Sequence, residues 1–190
     1  MQATTVTKGD TLLPLNSVIY ASGNNPLDLT SYTVKVFMVN AKDASDIVVN
    51  DLTTGVTAHP TQTFTASATT DLLTCNAHGL TTDNQLIVST TTTLPGGLAA
   101  STRYFPVNVT PNSFGLATVP NGATIDITSA GTGTHSFYVV GSLQYDWQST
   151  DVDAAGDYYL HFRIYSGAER VTAPHDGDTW LIHVVAPLGT

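Results

Sequence analysis

The sequence predicts an all-β protein, a β-sandwich whose chain is interrupted by an inserted small β-barrel or compact β-sandwich. Three observations lead to this class. From Tyr158 to Tyr165 the residues alternate: Tyr158, Leu160, Phe162 and Ile164 form an apolar set, while Tyr159, His161, Arg163 and Tyr165 carry the polar groups. A period of two reads as a half-buried strand with its apolar set on a core. No long apolar period of 3.6 residues occurs, so helix is expected to be minimal, with one turn near Asp151–Ala155. The texture also changes along the chain. From about Thr61 to Val140 charges almost vanish and Thr, Ser, Ala and Gly increase, and after Gly141 the first texture returns. Residues 1–61 and 141–190 are therefore expected to form one discontinuous domain, with 62–140 as a second domain inserted into it.

In chain order, the polar, Thr-rich residues 1–8 read as an arm or an added edge strand. Thr11 to Tyr20 reads as a strand with Leu13 and Leu15 inward, joined by Val18 and Tyr20, and Ser22-Gly-Asn-Asn-Pro26 is a turn. Tyr32 to Val39 reads as a strand with Val34, Val36 and Met38 on one face and Lys35 and Phe37 on the other. Ile47-Val-Val49 is a short strand, followed by a turn from Asp51 to Gly55. In the insert, apolar runs at Leu72-Leu73, Leu86–Val88, Tyr104–Val107, Phe114–Leu116, Ile125–Ile127 and Phe137–Val140 are punctuated by Gly and Pro. Strands at such spacing suit a small barrel. Leu143 to Trp147 is a short strand, Ser149 to Asp157 a polar turn, and the alternating stretch follows.

Composition narrows the function. Of 190 residues only six are Lys or Arg against fifteen acids, a net charge of -9, which disfavours a phosphate-binding face and hence nucleic acid. The one cysteine, Cys75, excludes an intrachain disulfide. The N-terminal residues lack an apolar signal core, and no run approaches the ~18 apolar residues of a membrane helix. The chain is thus expected to be made in the cytoplasm and not to enter a membrane. Asn108-Val-Thr110 matches a glycosylation acceptor by chance.

The flanks carry Lys8-Gly-Asp-Thr11, Pro26-Leu-Asp-Leu-Thr30, Tyr145-Asp-Trp-Gln148 and Gly156-Asp-Tyr-Tyr159. In order and spacing they resemble the immunoglobulin-like domain of the phage upper baseplate protein family, over about 110 residues in two pieces. The insert carries Asn76-Ala-His-Gly-Leu-Thr-Thr82, Thr93-Leu-Pro-Gly-Gly-Leu98, Asn112-Ser-Phe-Gly-Leu116 and Ile125-Asp-Ile-Thr-Ser-Ala-Gly-Thr-Gly133. It resembles a module recurring in tailed-phage virion proteins, and it departs from the baseplate family, which has a short run there. The resemblances imply an immunoglobulin-like β-sandwich in a structural protein of the virion, made in the host cytoplasm. Its partners would be capsid, tail or baseplate subunits and copies of itself, as a trimer or higher multiple. The roles implied are decoration or cement, baseplate, tail or fibre adaptor. The alternative is a receptor- or carbohydrate-binding module with a host surface glycan as partner.

No constellation for chemistry emerges, so the chain is expected not to be an enzyme and to use no cofactor. Cys75 and His78 have the spacing of half a zinc site but lack a second pair, so Cys75 is expected in the core of the insert and His78 in a turn. Asp151-Val-Asp153 and Asp157, with Asp176 and Asp178, suggest a calcium loop, but Ala155 and Phe162 stand where oxygen donors belong; the acids more naturally satisfy turn amides. His59, His135 and His175 are scattered, while His161 and His183 are placed to face each other across strands. Glu169 is the only glutamate. Trp147 and Trp180 are expected in the core. Phe37, Tyr159 and Tyr165, on outward strand faces, are the candidate interface, because aromatic residues are enriched in subunit contacts.

Overall fold

A computed structural model describes residues 2–9, 14–21, 25–167, 169–173 and 180–186. The protein is all-β and divides into two compact units, Met1–Ala58 with Gly141–Thr190, and His59–Val140. The start of the first expected strand, including the inward place of Leu13, lies outside the described residues, as do residues 22–24 of the expected turn at 22–26.

The first unit contains β1 (Gln2–Thr7), β2 (Leu15–Val18), β3 (Thr33–Asn40), β4 (Ile47–Leu52) and β5 (Val56–Ala58). It also contains β12 (Ser142–Tyr145), β13 (Gly156–Ser166), β14 (Glu169–Ala173) and β15 (Trp180–Val185). One sheet runs β1-β15-β13-β3-β4, with β14 also beside β13; a second runs β2-β12-β5. Strand β13 is the axis of the large sheet. Along one edge it pairs with β3 from Tyr158 to Tyr165; along the other, Gly156–Leu160 pair with β15 and Phe162–Ser166 with β14. Strand β1 lies parallel to its neighbour, β15, whereas the strands beside β13 are antiparallel to it.

Alternation decides what β13 buries. Tyr158, Leu160, Phe162 and Ile164 are buried, and their neighbours are half-exposed. They join Val34, Val36 and Met38 from β3 and Leu143, Tyr145 and Trp147 from the β12 segment in one cluster. The side chains of both sheets thus share a core, and each fully buried aliphatic or aromatic side chain contributes roughly 1.5–3 kcal/mol. The Tyr145 ring meets Trp147 edge-on at 5.4 Å and Phe162 at 6.4 Å.

Three local readings are corrected. Tyr20 is 50% exposed and Ile19 is buried instead, because β2 ends at Val18 and Tyr20 forms an isolated bridge with Pro26. No helical turn forms at 151–155. The buried Asp151 carboxylate accepts the Tyr145 hydroxyl (2.5 Å) and the Gln148 N–H (2.7 Å), so a side chain holds this turn. Short helical geometry occurs instead at Leu29–Ser31, where Asp28 caps the turn by accepting the Thr30 N–H at 3.0 Å. Asp51, expected in a turn, lies in β4.

The second unit contains β6 (Thr61–Ser67), β7 (Leu72–Thr74), β8 (Leu86–Thr90), β9 (Arg103–Val107), β10 (Ser113–Ala117) and β11 (His135–Val139). They close into a barrel in the order β10-β7-β6-β11-β8-β9. Closure leaves no sheet edge to be covered. Phe64, Leu73, Leu86, Phe114, Leu116 and Phe137 form its core with Cys75. Ile125–Ile127, expected as a strand, lies outside the strands. Its amides find other partners: Ile125 donates to the Leu116 carbonyl at 2.8 Å and Ile127 to the Asp71 carboxylate at 2.9 Å.

Candidate functional site

The outer face of the large sheet gathers the unusual side chains of the first unit. Because β13 buries its even-numbered residues, Tyr159, His161, Arg163 and Tyr165 point away from the core. On β3 the same parity turns Lys35 and Phe37 outward, and the register sets His161 opposite Phe37 and Arg163 opposite Lys35. Two cations directly opposite each other destabilise a strand pair. Their surroundings relieve this. Arg163 donates to Asp51 Oδ1 at 2.6 Å, and its guanidinium carbon sits 3.6 Å from the Phe37 ring centroid. Lys35 Nζ lies 5.0 Å from the Tyr165 ring centroid, and the Tyr165 hydroxyl donates to Asp51 Oδ2 at 2.9 Å. Cation–π contacts of this kind contribute about 0.5–1 kcal/mol at exposed sites.

Asp51 ties the face together. Burial opposes its ionisation, but the hydrogen bonds from Arg163 and Tyr165 and the charges of Arg163 and Lys35 outweigh that and hold the carboxyl below its usual range. Its backbone adopts φ +52°, a conformation that Asp tolerates better than most residues. Sequence reasoning missed this residue, since Asp51 meets Arg163 across 112 positions of the chain and nothing local announces the pairing.

All three candidate interface residues, Phe37, Tyr159 and Tyr165, are half-exposed and belong to strands of this sheet. His161 packs near Phe37, with ring centroids 6.5 Å apart, and its Nδ1 is shielded without a hydrogen-bond partner. Burial, and then the Arg163 charge, lower its pKa. The expected His161–His183 contact does not form. The register of β13 and β15 places His183 opposite Asp157, and His183 Nδ1 lies 2.7 Å from that carboxylate.

The other candidates separate. Cys75 is buried, its thiol donates to Gln62 Oε1 at 3.3 Å, and burial pushes its pKa up. His78 is also buried, and its Nδ1 accepts the Leu80 N–H at 3.0 Å. His135 bonds Thr90 Oγ1 at 2.9 Å and the Ala130 carbonyl at 3.0 Å, and His59 stacks on Tyr138 at 4.4 Å. Among the described residues no three His, Cys, Asp or Glu side chains converge as metal ligands. His175, Asp176 and Asp178 lie outside the described residues. Trp147 is buried in the core; the side chain of Trp180 is outside the description. No helix among the described residues is long and apolar enough to cross a membrane.

The barrel carries one further feature, an open groove of about 990 Å³ along β6, between residues 74–76 and residues 130–135. Comparison with protein-family models, with curated proteins and with solved structures finds no match to this chain.

Proposed function

We propose that this chain is a structural component of a tailed-phage particle, acting through protein–protein contacts and without a catalytic centre. The observation that carries the proposal is the outer face of the large sheet, where Phe37, Tyr159, Tyr165 and Arg163 are partly exposed and Asp51 holds Arg163 and Tyr165 in place. Tyr and Arg are enriched among the residues that dominate binding energy at interfaces. A surface whose rotamers are already fixed loses less entropy on docking. The two sheets with their shared core fit an immunoglobulin-like β-sandwich, and the sequence resemblances of flanks and insert supply the virion context. The partners are capsid, tail or baseplate subunits and copies of this chain, associated as a trimer or higher multiple.

Sedimentation of the purified chain tests the surface. The native protein is expected to associate with rising concentration, and Tyr159→Ala or Tyr165→Ala to weaken association while circular dichroism stays native. Truncating a dominant interface residue costs more than about 1 kcal/mol, or severalfold in affinity. A chain that stays monomeric at every concentration and is absent from purified particles would overturn the proposal. A second reading, a receptor- or carbohydrate-binding module, draws support from the groove of the barrel, whose lining holds no Asp, Glu, Lys or Arg.

A further inference from the structure

The geometry points to the β6 groove as a binding site for a neutral oligosaccharide. This inference deepens the second reading and does not depend on the chain being a particle subunit. The groove has about 990 Å³ of space, at the upper end of the roughly 300–1,000 Å³ of ligand clefts, enough for more than one sugar ring. Thr61, Thr63, Thr65, Thr74, Asn76 and Thr134 line it and are exposed. None of these six side chains makes a hydrogen bond within the described chain. By contrast, Gln62, also in the lining, is committed, with its amide donating to the His78 carbonyl at 3.2 Å and accepting from Cys75.

The chemistry of the lining selects the ligand. No Asp, Glu, Lys or Arg is present, and both ring nitrogens of His135 are engaged, by Thr90 and by the Ala130 carbonyl. No free ionic group is therefore aimed at a charged ligand. A hydroxyl both donates and accepts, as sugar hydroxyls do, and an amide does the same through two atoms. A peptide docking as an added strand needs a free strand edge. Strand β6 offers only short stretches of one: Thr61–Phe64 pair along the edge facing β11 and Thr65–Ser67 along the opposite edge, facing β7, so each open stretch spans half of the strand. Recognition therefore falls mainly to side chains. At the Thr61 end, Tyr138 stands directly opposite in the antiparallel pair and hence on the same face. His59 stacks on its ring at an interplanar angle of 17°. Neither ring belongs to the lining, so this aromatic pair flanks the groove without forming its floor.

Amide chemical shifts of the ¹⁵N-labelled full chain test the inference, with maltohexaose, cellohexaose and mannotetraose as probes. At least one is expected to shift Thr63, Thr65, Asn76 and Thr134 saturably. Thr63→Val with Thr65→Val should weaken that binding about tenfold, as expected for two lost hydrogen bonds, with the melting temperature unchanged. Absence of saturable shifts with all three probes at millimolar concentration would overturn it. So would shifts confined to other residues, or binding untouched by the double substitution. An extended Gly-Thr peptide that moves these amides while the sugars stay silent would reassign the groove to a polypeptide and equally end the proposal. Sedimentation of the same samples reports on the sheet face separately, so failure of one reading is distinguishable from failure of the other.

Discussion

His161 shows how one strand position sets a chemical property. Its imidazole is shielded beside Phe37, and the neighbouring cations are Lys35 and Arg163, with Asp51 engaged by Arg163 and Tyr165. Burial first and Arg163 second hold its pKa below the ordinary value of about 6.5. The sign follows directly. Below pH ~6.5 the unfolded chain takes up a proton that the folded chain refuses, so stability falls with pH until the folded value is passed. Asp51 acts in the same sense at lower pH: its depressed carboxyl contributes stability that is lost as pH falls through the folded value. Thermal melts between neutral and mildly acidic pH should show the decline, and His161→Gln should flatten the part that begins near pH ~6.5. An unchanged slope in the variant would remove His161 as its source.

At the scale of the element, β13 tests the register. Phe162 is completely buried and Arg163, its neighbour, is not. Phe162→Ala is expected to cost about 3–5 kcal/mol, and Arg163→Ala about 1–2 kcal/mol from a partly exposed ion pair and one ring contact. Urea titration separates these values; equal losses would mean the strand faces are reversed. This strand is legible in the sequence because its alternation is unbroken and both edges are paired, so pattern and burial agree residue by residue. Strand β6 is hidden for the opposite reason. Only Phe64 of its seven residues is buried, so the stretch holds no apolar run that would announce a strand. The run Ile125–Ile127 misleads because its apolar residues alternate, yet its backbone bonds go partly to a carboxylate. The candidate face is half legible. Parity sets Phe37, Tyr159 and Tyr165 outward, but the carboxylate that fixes Arg163 and Tyr165 arrives from a strand far away in sequence.

At the scale of the whole molecule, the two units have separate cores: the cluster of the first unit contains no residue between His59 and Val140. Ala58 pairs with Leu143 across β5 and β12, so the two chain points that flank the second unit lie side by side. Joining Ala58 to Gly141 through a short Gly/Ser linker should therefore leave a protein that unfolds cooperatively in urea with β-type circular dichroism. A molten or insoluble product would contradict the separation of cores. The same interleaving sets an order in time. During synthesis the barrel is contiguous, and all six of its strands have emerged before β13 exists. The large sheet must wait for its central strand, and β1 must wait for β15, its parallel neighbour. Domains generally fold as units as they emerge. The barrel then folds first on the ribosome, while β3 and β4 remain without the strand that completes their sheet, exposed to chaperones or to the same strands of a neighbouring nascent chain.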